Sequence, residues 1–118
     1  MRDIIYLRAG LDGVRFAVPS MSIERILSDP VVLAVPLAPE GICGIVCFEG
    51  AVTPVRSLVP GRQTPASLVI LCRGSQGLTA YAADRVEAMG MLDEREFAGA
   101  EAAEAGGVLL LDRRKQDD

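Results

Sequence analysis

Apolar residues recur at every second position over several short stretches of this 118-residue chain, and turn-forming residues separate those stretches. Residues 14–18 alternate in this way, and Gly10, Asp12 and Gly13 separate them from an apolar run at residues 4–7. Period-two alternation beside a turn signal is typical of a β-hairpin. We therefore expect two antiparallel strands at the start of the chain.

A different spacing follows this first hairpin. Ile23, Ile26 and Leu27 recur as they would on one face of a helix, and Ser20 or Ser22 precedes them as an N-cap candidate. The sequence predicts a short helix of about one to two turns here. The Asp-Pro pair that comes next would end it.

Further β-prone runs occupy most of the remaining chain, at residues 31–35, 41–48, 51–55, 68–72, 78–83, 85–91 and 108–111. Glu49-Gly50 and residues 74–77 supply turns between neighbouring runs, and Pro54 indicates an edge position or a strand end. Residues 93–107 are rich in Ala, Glu and Gly and are predicted as loop or marginal helix. About eight or nine short strands with one short helix predict an all-β barrel or sandwich.

Composition limits which residue types can form the core and indicates the compartment in which the protein works. Hydrophobic residues make up 50% of the chain and aromatic residues only 4%, so the core must be aliphatic. A net charge of −4 and a pI near 4.8 argue against a nucleic-acid-binding domain, which needs clustered Lys and Arg. We find no signal-like N-terminus and no apolar run of about 18 residues. We therefore expect one cytoplasmic domain with reduced, buried thiols.

The sequence offers little for catalysis, since it contains no histidine, the usual general base near neutral pH. Cys43, Cys47 and Cys72 are too few for a closed zinc site. Strand spacing also puts the first two on one face about 13 Å apart, too far for a disulfide. Residues 74–77 lack the Lys of a phosphate-binding loop, and the carboxylates at 84–96 do not match a calcium loop. We expect no enzyme activity, cofactor or metal.

Six short segments carry a family resemblance, at residues 16–19 (FAVP), 22–27 (SIERIL), 35–39 (VPLAP), 44–50 (GIVCFEG), 54–58 (PVRSL) and 83–86 (ADRV). Their order and spacing over residues 4–112 resemble the CheW family of chemotaxis coupling domains. The resemblance implies a single domain at residues 1–112, followed by a charged C-terminal tail at residues 113–118. It also implies two interlocked five-stranded SH3-like β-barrels with a shared core.

The function implied by this resemblance is that of a non-catalytic adaptor in a bacterial chemosensory pathway. Such an adaptor couples the cytoplasmic tips of methyl-accepting chemoreceptors to the regulatory domain of a CheA-type histidine kinase. It works in the cytoplasm, performs no chemistry itself and does not enter the membrane.

By the same resemblance, partners are expected to contact Ile23, Arg25, Gly44, Glu49 and Gly50. Arg25 stands where the family usually has Glu, and Glu49 stands where it usually has Arg. Because these positions lie close together in the family, our hypothesis is an ion pair of reversed polarity that influences partner choice. The alternative is two unrelated surface charges. Both glycines equally suit a structural role, since glycine permits turns and close backbone approach.

Other departures keep alternative functions open. Ser57 stands where the family commonly has Asp, Ala80 stands where a Gly is usual, and no C-terminal helix is evident. One alternative is a divergent CheW-like scaffold that binds another regulator or competes with the usual coupling protein. Another is a small-molecule binder or enzyme built on a β-barrel, although no nucleophile–base pair or cofactor motif supports it.

Overall fold

The computed structural model describes residues 5–59, 66–74, 77–91 and 109–110. These residues form a 3-10 turn at Ser20–Ser22 and nine strands: β1 (Ile5–Leu11), β2 (Val14–Pro19), β3 (Ile23–Ser28), β4 (Ile42–Phe48), β5 (Ala51–Arg56), β6 (Leu68–Gly74), β7 (Gly77–Ala83), β8 (Arg85–Met91) and β9 (Leu109–Leu110). The described ranges contain no helix long and apolar enough to cross a membrane. The prediction for residues 93–107 lies outside the described residues. The part that is described is nearly all β, as the alternating pattern predicts.

The strands form two sheets around one hydrophobic core. The four-stranded sheet has the order β8-β1-β2-β9, and the five-stranded sheet has the order β3-β6-β7-β5-β4. The ladders are antiparallel except between β5 and β7, which pair in parallel at Val55 with Ala80 and at Arg56 with Tyr81. Neither sheet closes on itself in the described residues. The prediction of an all-β, two-part fold is therefore confirmed, whereas two closed five-stranded SH3-like barrels are not.

Two hairpins have tight turns that the sequence predicted. Asp12 and Gly13 have φ of 52° and 81°, and Glu49 and Gly50 have φ of 50° and 84°. Positive φ at both central residues is the requirement of the type I′ turn, whose twist matches that of the flanking strands. The β6–β7 hairpin is also confirmed, with Gly74 opposite Gly77.

The predicted helix is wrong, because residues 23–28 form strand β3 and only Ser20–Ser22 forms a 3-10 turn. The Ser22 hydroxyl donates to the Pro19 carbonyl oxygen at 2.8 Å within this turn. Strand β3 then pairs with β6, with a register shift between Ile23 and Arg25. A bulge adds one residue to a strand and so breaks period-two alternation. The resulting spacing imitates that of a helix, and pairing with β6 decides the conformation.

The predicted strand at residues 31–35 is reduced to a single bridge. Leu33 and Ile45 exchange two backbone hydrogen bonds, each 2.9 Å long. Pro30 and Pro36 lie on either side, and proline cannot donate to a ladder. The segment therefore pairs with the outer side of β4 through backbone hydrogen bonds at one point only.

Pro54 lies in β5, which is an inner strand of the five-stranded sheet and not an edge. Its position is still consistent with the chemistry of proline, because the ladder to β7 begins one residue later, at Val55. Of the two sequence interpretations, an edge position is wrong. A strand end is wrong as well, because β5 continues beyond Pro54 to Arg56.

The core is aliphatic, as composition predicts, and Phe16 and Tyr81 are its largest fully buried side chains. Cys43 and Cys72 are buried thiols, but Cys47 is exposed. The expectation that all three are buried is thus wrong for Cys47. A register shift between Ile42 and Gly44 reverses the alternation within β4, so Cys43 and Cys47 do not share a face.

Candidate partner-binding surface

Strand β3 and the β4–β5 turn lie side by side, although β3 and β4 are the two outer strands of their sheet. The guanidinium carbon of Arg25 lies 5.2 Å from the centre of the Phe48 ring. Phe48 is buried, and it immediately precedes the exposed Glu49-Gly50 turn. The structure thus brings Arg25, Glu49 and Gly50, three of the predicted site residues, into one neighbourhood.

The expected ion pair between Arg25 and Glu49 is not formed. Among the ion pairs of the described residues, the nearest to this turn joins Arg73 Nε to Glu24 Oε1 at 2.7 Å. Arg25 instead lies over the Phe48 ring, within the distance of about 6 Å at which a cation is attracted to an aromatic face. We call Glu24, Arg25, Glu49 and Arg73 the charged rim.

Arg73 and Glu24 are the two rim residues that the sequence analysis did not single out. Arg73 follows Cys72, which pairs with Ile23 at the start of β3, so the ladder carries its side chain to Glu24. The hydrogen bond and charge of Glu24, with a smaller effect of the charge on Glu49, raise the pKa of Arg73. Both partners of this ion pair are well exposed, so it arranges charge on the surface more than it stabilises the fold.

Gly44 is buried and has a structural reason to be glycine. A Cβ atom there would lie 2.5 Å from Cγ1 of Val32 and 2.9 Å from the carbonyl oxygen of Leu33. The absence of a side chain allows the 31–35 segment to reach β4. Ile23 is half-buried and packs against the core, so it too is only partly available to a partner.

An apolar groove of about 400 Å³ lies beside the charged rim, lined by Leu27, Pro30, Val31, Leu33, Ile45, Val46, Cys47 and Val52. Val31, Leu33 and Val52 are 79%, 59% and 67% exposed, which is unusual for large apolar side chains on one surface. Leu27 connects the groove to the rim, since it lies two residues beyond Arg25 on β3. The sequence did not predict the groove, because only the bridge at Leu33 brings its two walls together.

The described residues show no constellation for catalysis or metal binding. No group of three or more acidic or cysteine side chains within them could hold a metal ion. Burial raises the pKa of the Cys72 thiol to about 11, although a hydrogen bond with Ser22 partly opposes this, so the thiol is a poor nucleophile near neutral pH. The surface instead presents positioned charges and exposed apolar side chains, which are features suited to protein recognition.

The chain is similar to known proteins in both sequence and structure. A family model described as a CheW-like domain matches residues 6–114. Among solved structures, the chain is similar to the crystal structure of scaffolding protein TtCheW from Thermoanaerobacter tengcongensis, with a TM-score of 0.64. That match has 17% sequence identity and covers 82% of this chain and 67% of the other. No curated protein matches the sequence. The structural match supports the fold, and the family match spans nearly the whole chain.

Proposed function

Since the chain belongs to the CheW-like domain family, we propose that it is a non-catalytic coupling adaptor of a bacterial chemosensory pathway. In this role it joins the cytoplasmic tips of methyl-accepting chemoreceptors to the regulatory domain of a CheA-type histidine kinase. It acts in the cytoplasm and needs no cofactor.

The observation that carries the proposal is the contact surface formed by the charged rim and the apolar groove. Exposed apolar patches on small domains commonly mark sites of protein binding, and neighbouring charges select the partner. Here both features meet on β3, where Leu27 of the groove lies two residues beyond Arg25 of the rim. The solved relative is itself described as a scaffolding protein, which is consistent with a role in assembly.

Titration calorimetry tests the proposal directly. The purified chain would be titrated with the kinase regulatory domain and with receptor-tip fragments from its own organism. We expect binding to at least one of them with a Kd on the order of micromolar, typical of a transient signalling contact. Arg25→Ala should weaken that binding, and Arg85→Ala, which removes an exposed arginine from the other sheet, should not. Absence of binding to both proteins would overturn the proposal.

A second candidate is a divergent scaffold that binds another regulator or competes with the usual coupling protein. The order of charges in the rim favours it, because Arg25 and Glu49 both carry the sign opposite to that usual in the family. A receptor-coupled kinase assay separates the two candidates. A coupling adaptor restores kinase activity when the usual coupling protein is omitted, whereas a competitor lowers the activity of the complete mixture.

A further inference from the structure

Arg25 is held in place by the core although its charge is exposed. The Phe48 ring under its guanidinium is only 7% exposed and packs in the hydrophobic core. Stacking on a fixed ring restricts the flexible arginine side chain before any partner arrives. A guanidinium stacked on an aromatic face can still donate hydrogen bonds from its edges, in the planar fork that fits a carboxylate.

The acidic residues nearest to Arg25 in the sequence and in the turn do not neutralise it. Glu24, its chain neighbour, accepts a hydrogen bond from Arg73 Nε at 2.7 Å. Glu49, in the adjacent turn, forms no ion pair with Arg25. Within the described part of the chain, Arg25 is thus an ordered, exposed cation without a carboxylate partner.

The geometry points to Arg25 as a specificity-determining anchor that binds a carboxylate, from an Asp or Glu side chain, on the partner protein. The inference rests on the proposed function, because it assumes a protein partner at this surface, and it adds the chemistry of the recognised group. Phe48 is the positioning residue that holds the anchor. A charge-assisted, two-point hydrogen bond to a carboxylate is strong and directional, so it sets which partner is accepted.

The first test compares four variants with the wild-type chain in the same calorimetric titrations. Arg25→Glu and Arg25→Gln should each weaken binding by at least about tenfold, with the Glu variant the weaker. Arg25→Lys keeps the charge but lacks the planar guanidinium, so its loss of affinity should be smaller. Arg85→Ala is the matched control and should bind as the wild type does. Circular dichroism and thermal melting should show that all four variants are folded.

A double-mutant cycle tests the role of Phe48. Phe48→Leu keeps an apolar side chain in the core but removes the ring face, and it should weaken binding in the wild-type background. In the Arg25→Gln background the same change should have no further effect on binding, because there is no guanidinium left to position. If Phe48→Leu weakens binding equally in both backgrounds, its role is structural and the positioning part of the inference fails.

Charge exchange on the partner provides the decisive test. Each surface Asp or Glu of the bound partner is changed to Lys in turn, and one such variant should recover at least about tenfold of the affinity lost by Arg25→Glu. If Arg25→Glu binds as tightly as the wild type, or no partner variant recovers affinity, the inference is overturned while the proposed function stands. If the wild-type chain binds neither protein, the proposed function fails and the inference fails with it.

Discussion

The Oδ2 atom of Asp84 accepts a hydrogen bond from the backbone N–H of Asp12, with nitrogen and oxygen 2.8 Å apart. The backbone N–H of Asp84 donates in turn to the carbonyl oxygen of Gly10, also at 2.8 Å. The two bonds attach the corner between β7 and β8 to the turn of the first hairpin. Asp84 therefore connects segments that are far apart in the chain, which gives its carboxylate a structural role.

Replacement of Asp84 by Ala should lower the free energy of unfolding by about 1 kcal/mol, because the Asp12 N–H loses its side-chain acceptor. Asp84→Asn keeps an oxygen acceptor and should lose less. Urea denaturation measures both values, and an unchanged m-value shows that the unfolded state is unaffected. Equal stability of Asp84→Ala and the wild type would contradict this role.

Gly44→Ala should destabilise the chain by about 1–3 kcal/mol, since the added Cβ has no room beside Val32 and Leu33. Gly74→Ala is the matched control, because a Cβ there meets nothing within 4 Å. Combining Gly44→Ala with Val32→Ala removes the closer contact and should restore part of the stability lost. Urea midpoints of the four proteins check the prediction, which is wrong if the Gly44 and Gly74 variants are equally stable.

The stability of the fold should fall at alkaline pH because of the buried Cys72 thiol. Burial raises its pKa from 9.0 to about 11, partly offset by a hydrogen bond with Ser22. The unfolded chain therefore loses this proton at lower pH than the folded chain does. The free energy of unfolding is unaffected by this group below about pH 9, and above that it falls by at most about 1.4 kcal/mol per pH unit until about pH 11.

Urea titrations at several pH values across this window measure the slope. Burial, and to a smaller extent the charge of Cys72, also raise the pKa of Tyr81, so part of the decline belongs to Tyr81 and only the part caused by burial persists in a Cys72 variant. Cys72→Ala lowers stability at every pH by leaving a cavity, and the informative quantity is its slope. An identical slope in Cys72→Ala and the wild type would show that the thiol does not contribute.

Cys47 should be the first thiol to react in the folded chain. It is exposed, whereas Cys43 and Cys72 are 2% and 3% exposed. An aromatic disulfide reagent should therefore modify one thiol rapidly under native conditions and the other two only after denaturation. Cys47→Ser should abolish the rapid phase. Rapid modification of more than one thiol in the native state would contradict the burial of the other two.

The sequence predicted the strands wherever local chemistry determines the structure. Asp12-Gly13 and Glu49-Gly50 favour positive φ, so both hairpins could be placed from the chain alone. The segment after Pro19 could not, because a bulge at the start of β3 makes apolar residues recur at helical intervals. Only pairing with the distant strand β6 distinguishes a strand from a helix here. The residues at 23–28 do not by themselves indicate that pairing.

The site was less predictable than the fold, since its contacts cross between strands that are far apart in the sequence. Family resemblance placed Arg25 near Glu49 and predicted an ion pair between them, which does not form. It could not show that the Arg25 guanidinium lies over the Phe48 ring or that Arg73 pairs with Glu24. Gly44 was singled out for partner contact, and the structure gives a packing reason for it. Which charges pair depends on side-chain positions that no local pattern specifies.

The order of strands in the five-stranded sheet has a consequence for synthesis on the ribosome. β6 and β7 stand between β3 and β5 in space but follow both in sequence. While the chain is being made, β3 and the β4–β5 hairpin emerge before the strands that join them. Until Leu68–Ala83 has been translated, β3 lacks its sheet partner β6 and β5 lacks its sheet partner β7. The inward apolar residues of these strands remain without those partners during that time.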